Sequence, residues 1–115
     1  MYALFYGLDS ISPTALQRAA TAGPLTVLDM NARGRWEQAH VPGARHLALE
    51  FGRADLPADA STPLVFYCSN WMCRKAPDAA RRARQMGFAD VKVMSAGIAG
   101  WTGAGLPTEA AGPRG

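Results

Sequence analysis

The sequence predicts an α/β domain with a central, mainly parallel sheet flanked by helices. Three observations carry that expectation. Short apolar runs alternate with stretches of helical periodicity, the pattern of strands joined by crossover helices. Pro63 introduces the apolar run Leu64–Val65–Phe66–Tyr67, which has the length of a fully buried strand. Beyond Cys68 the segment 75–86 places apolar residues at 76, 79, 80, 83 and 86, the spacing of one helix face.

Taken in order, residues 2–6 are expected to form a short strand. Ser12 and Pro13 open a helix as N-cap and first helical residue, and Gly23–Pro24 closes it. Residues 25–29 form a buried strand ending in an acid, Asp29. Residues 31–38 read as a turn and a short helix carrying Trp36. The sequence His40–Val41–Pro42–Gly43–Ala44 is a turn. Residues 44–49 are expected to be a short strand, and residues 50–62 a loop or short helix. The central strand, the cysteine loop and the helix from Lys75 follow. Gly87 suits a left-handed cap. Residues 91–94 form the last strand, and residues 98–101 a short helical piece. The organisation expected is one domain over residues 1–109 and a flexible tail over 110–115.

Composition excludes several classes. At 115 residues a single domain can bury a core without staples. The chain is 49% hydrophobic and 18% charged, an ordinary globular balance, with no apolar run long enough for a membrane span. The first ten residues lack a basic segment before an apolar one, so the default expectation is a cytoplasmic protein that needs no membrane. Two cysteines form at most one disulfide, which is no secreted framework. The net charge of +3 comes with a cluster at Arg74, Lys75, Arg81, Arg82 and Arg84. That cluster reads either as a solvated helix face or as a positive field around Cys68. It has no nucleic-acid-binding module beside it, so no nucleic-acid partner is expected. Neither a nucleotide-binding glycine motif nor zinc-like spacing among His40, His46, Cys68 and Cys73 is present, so no cofactor or metal is expected.

The chemistry concentrates at Cys68. Ligands of parallel sheets bind at the carboxyl ends of strands, and a cysteine between a strand and a helix N-terminus meets backbone N–H groups and a favourable dipole. Such a position lowers a thiol pKa and favours nucleophilic attack on an anionic sulfur or oxygen species. The plainer alternative is an inert buried cysteine. Ser69, Asn70, Trp71, Met72, Cys73, Arg74 and Lys75 would then form the anion-binding loop. Arg74 offers a fork of donors and Lys75 a point charge. Cys73 packs inward, acts as a resolving thiol or receives sulfur itself. Bridging to Cys68 depends on a Cα separation that spacing does not set. Trp71, inside the loop, shields the nucleophile or shapes access to it. Asp29 and His40 read as structural residues near the site.

Four pieces in order, Val27–Leu28–Asp29, the run Trp36 to Ala44, Tyr67–Cys68, and Gly97–Ile98–Ala99–Gly100–Trp101 with Ala104–Gly105–Leu106–Pro107, resemble the rhodanese-like family over residues 12 to 109. The resemblance implies a three-layer fold with a central parallel sheet. It also implies a sulfurtransferase in which Cys68 takes a sulfane sulfur from a small anionic donor such as thiosulfate. The persulfide would pass that sulfur to cyanide or a thiol, including a protein thiol. There are departures. Asn31 replaces a common arginine, and Ala39 a common glycine. The loop reads C-x5-R from Cys68 to Arg74, one residue longer than in typical sulfurtransferase members. That length resembles the related phosphatases and arsenate reductases, which usually place a histidine where this chain has Tyr67, and a small residue, serine or threonine where it has Lys75. A phosphatase, an arsenate reductase and a non-catalytic redox-sensing or binding module are therefore the alternatives.

Overall fold

Residues 8–111 are described by a computed structural model of the chain. Five strands, four α-helices and one short 3-10 helix (Arg53–Asp55) are formed among them: β1 (Asp9–Ser10), α1 (Pro13–Ala22), β2 (Thr26–Asp29), α2 (Arg33–Gln38), β3 (Arg45–His46), β4 (Leu64–Tyr67), α3 (Lys75–Gln85), β5 (Val91–Val93) and α4 (Gly97–Gly103). The strands form one sheet in the order β1-β5-β4-β2-β3, and every pairing is parallel. The expected α/β three-layer architecture is thus the observed one. The strand expected over residues 2–6 and the end of the expected tail, residues 112–115, lie outside the described residues.

Alternation along β4 builds two cores from one strand. Leu64 and Phe66, with Cys68 continuing their side, pack among Ala76, Ala79, Ala80 and Ala83 of α3. Val65 and Tyr67 face the opposite side and pack with Leu16 of α1 and Trp101 of α4. All four β4 residues are buried, which explains why the strand reads as a continuous apolar run rather than an alternating one. The small face of α3, four alanines, lets that helix lie close on the sheet.

Local chemistry fixes the element ends. The Ser12 hydroxyl accepts from the Ala15 N–H at 3.2 Å, and Pro13 starts α1. Gly87 stands at φ +106°, the left-handed conformation that ends α3 without a Cβ penalty. Two strands differ from expectation. β3 covers only Arg45 and His46, because the chain peels from β2 after Leu47 N–H donates to Asp29 O. β1 is two exposed polar residues, Asp9 and Ser10, held at the sheet edge by pairing with Lys92 and Val93. It carries no hydrophobic signal.

Candidate functional site

Parallel strands point their carboxyl ends to one rim, and β4 delivers Cys68 there. Cys68 is 2% exposed, below the rim rather than on it. The loop then rises to the surface. Ser69 is half-buried, Asn70 is exposed, and Trp71 and Met72 are 64% and 72% exposed. Cys73 returns half-buried against the core beside α3. Arg74 precedes the first turn of α3, and Lys75 is its first residue; both are exposed.

The base of the loop is held by backbone. The Ile98 and Ala99 N–H groups at the start of α4 donate to Cys68 O (2.9 Å) and Ser69 O (3.0 Å). Gly97 makes this approach possible: it stands at φ +66°, and a Cβ there would lie 2.6 Å from Ser69 C, Ser69 O and Asn70 N. The Gly97–Ile98–Ala99–Gly100–Trp101 signature is therefore a backbone-to-backbone clamp on the cysteine loop.

A polar chain secures the same base from β2. The Ser69 hydroxyl donates to Asn31 Oδ1 at 2.7 Å, and Asn31 N–H donates to Asp29 Oδ1 at 2.8 Å. Tyr67 Oη donates to Asp29 Oδ2 at 2.6 Å and accepts from Val41 N–H at 3.0 Å. Asp29 and Tyr67 are fully buried. Burial, the charge of Asp29 and the hydrogen bond to it all push the Tyr67 phenol far above its usual range. His46 completes the set: its Nε2 lies 2.8 Å from Asn31 O, and because a carbonyl only accepts, Nε2 carries the proton. His40 is placed apart from the loop. Its Nδ1 is 2.6 Å from Trp36 O, its ring stacks on Trp36 at 4.6 Å, and its Nε2 is 3.4 Å from Glu109 Oε1.

Cys68 and Cys73 are joined by a disulfide, with Cα atoms 6.4 Å apart, inside the range a disulfide spans. Neither cysteine is free. This overturns the sulfur-transfer reading. A persulfide carrier attacks as a thiolate, and Cys68 Sγ is already bonded. The expectations that fall with it are Cys68 as catalytic cysteine, the persulfide, the thiosulfate sulfurtransferase activity, and the anionic sulfur donor with its thiol or cyanide acceptor as partners. The narrow crevice beside the disulfide is lined by Trp71, Pro77 and Ser95. Among the described residues, no group of three histidine, cysteine or acidic side chains is placed to hold a metal.

The family model for the rhodanese-like domain matches residues 12–104. The chain belongs to the rhodanese-like domain family. This rhodanese-like chain is 34% identical over 110 residues to an HTH-type transcriptional regulator of Mycobacterium tuberculosis, a match that covers 93% of the chain. It spans about half, 47%, of that curated relative's length. Among solved structures it is similar to the Alr3790 protein of Anabaena (TM-score 0.77, 25% identity, 87% of this chain and 91% of that one). It is also similar to a thiosulfate sulfurtransferase of Pseudomonas aeruginosa (TM-score 0.80, 26% identity, 90% of this chain and 19% of that one).

Two contributions escape a reading by residue type. Asn31 stands out in sequence only as a missing arginine, yet it ties Ser69, Asp29 and His46 together. Arg82, grouped by sequence with the basic cluster, donates to Leu49 O and Phe51 O at 2.6 Å each and lies 4.0 Å over the Phe51 ring. It fixes the segment after β3 rather than adding to a field around Cys68. An arginine on the flank of an otherwise alanine face was the available signal.

Proposed function

We propose that this rhodanese-like domain is a non-catalytic, redox-responsive binding module whose switch is the Cys68–Cys73 pair. The observation that carries this reading is the disulfide closing the loop on which the family's nucleophilic cysteine would stand. Reduction by two equivalents of a low-molecular-weight thiol breaks the Cys68–Cys73 bond and yields two protein thiols and one external disulfide. An external thiolate attacks Cys73, the less buried sulfur, with Cys68 leaving. A second thiolate then resolves the mixed disulfide. The bonds from Ile98, Ala99 and Asn31 that clamp the base of the loop do not involve the sulfur atoms and are expected to survive reduction. The change therefore falls on residues 70–74, where Trp71 and Met72 are exposed. A relative that is a transcriptional regulator supports a regulatory rather than a metabolic setting.

The test is tryptophan emission across reduction. Trp101 is buried and Trp36 half-buried, whereas Trp71 stands exposed inside the loop, so Trp71 is the reporter. Emission of the wild type is expected to shift on reduction and return on reoxidation. Trp71→Phe and Cys73→Ser are each expected to abolish the shift. A shift that persists in Trp71→Phe, or no shift in the wild type, would sink the reading.

A further inference from the structure

We propose that the groove beside β3 is a docking site for an acidic polypeptide segment of a partner protein. The groove consists of two adjoining clefts of about 200 and 470 Å³ that share Arg33, His46, Leu47 and Ala48. The first opens beside Lys75 and Leu49. The second runs along Arg45 to Ala54. Three exposed cations, Lys75, Arg33 and Arg45, thus stand along one path, and His46 lies on it between them. None of the three cations has a carboxylate partner among the described residues. Elsewhere on the surface Arg81 pairs with Asp78 and Lys92 with Asp90.

The walls are preformed. Arg82 holds the backbone at Leu49 and Phe51. Arg53 donates to Pro57 O and Ala58 O and lies 4.6 Å over Phe88. The Asp55 carboxylate accepts from Gly52 N–H at 2.8 Å. Pre-organised walls lower the ordering cost of binding.

The composition of the groove selects a polypeptide over a nucleic acid. Its lining includes Leu47, Leu49, Ala48 and Ala54, and also the acids Glu50 and Asp55. A polyanion with one charge per nucleotide would meet those two carboxylates. An acidic peptide can place apolar side chains against the leucines and its carboxylates at Lys75, Arg33 and Arg45. Among the described residues β3 is the edge of the sheet, and a segment laid there meets no further strand of them.

The groove stands on its own residues, and it supplies a partner for the redox reading, on which its coupling rests. Lys75, which lines the first cleft, directly follows residues 70–74, the segment that changes on reduction. Affinity is therefore expected to differ between the disulfide and dithiol forms.

The test is fluorescence anisotropy with a short labelled peptide of glutamate and leucine, using the whole chain in its oxidised and reduced forms. Arg33→Glu with Arg45→Glu is expected to weaken binding by tenfold or more, roughly the loss of two charge-assisted contacts. Arg18→Glu, an exposed residue of α1 with the same change of charge as either single reversal, is expected to change affinity less than about twofold. Unchanged melting of each variant excludes misfolding as the cause. No peptide binding would overturn the proposal, and so would an equal loss in Arg18→Glu and the single Arg45→Glu. Displacement of the peptide by a tighter-binding DNA duplex would also overturn it. Groove-dependent binding of equal strength in both redox forms would uphold the docking site and count against the redox reading.

Discussion

The Cys68–Cys73 loop is held in two contrasting ways along its length. At its base, Cys68 and Ser69 give their carbonyls to α4, Ser69 gives its hydroxyl to Asn31, and Asn31 rests on the buried Asp29–Tyr67 pair. At its tip, two local bonds from Asn70 hold the turn: its carbonyl accepts from Cys73 N–H at 3.0 Å, and its Oδ1 from Met72 N–H at 2.9 Å. The base is buried and cross-braced by long-range contacts. The tip exposes a tryptophan and a methionine and depends on the disulfide to close it. A catalytic cysteine loop needs its N–H donors aimed at a bound anion. This one has a rigid base and a tip whose closure is covalent, which suits a surface that changes with redox state.

Breaking the base should cost most. Gly97→Ala forces a side chain into left-handed backbone and into contact with Ser69 and Asn70. Left-handed strain and overpacking together predict a loss of about 3 kcal/mol, read as a lower urea midpoint. An unchanged midpoint would mean that the clamp is not the support described.

Tyr67→Phe removes the donor to Asp29 and the acceptor for Val41, and should cost about 2 kcal/mol at neutral pH. Its pH dependence sharpens the comparison. The folded phenol is held neutral above its unfolded range, so its contribution is complete below about pH 10. It is lost as pH rises further, because the unfolded chain ionises first. The gap between wild type and Tyr67→Phe should narrow above about pH 10; a gap that widens there would contradict the assignment. At the tip, by contrast, Trp71→Phe should change stability by less than about 0.5 kcal/mol, since the side chain is mostly in water.

What the sequence made legible divides along the same line. The apolar runs of β2, β4 and β5, the capped start of α1 and the alanine face of α3 follow from local pattern, and they place Cys68 at the carboxyl end of a strand. β1 was illegible, because Asp9 and Ser10 gain their structure from a neighbour rather than from their own side chains. The brace through Asn31 was illegible because it joins residues 38 positions apart through side-chain geometry. The bond state of Cys68 was the decisive omission. Two cysteines five apart leave open a free nucleophile or a bridge, and the choice rests on how the turn at Asn70 brings the two Cα atoms to 6.4 Å.

The most direct test is intact-protein mass after thiol alkylation, across a series of glutathione redox buffers and, in parallel, after incubation with thiosulfate. The account predicts that two alkyl groups appear together in a single reversible two-electron transition that Cys73→Ser abolishes, with no added sulfur from thiosulfate. A gain of one sulfur on Cys68, removed by cyanide, would contradict it and restore a sulfur-transfer enzyme.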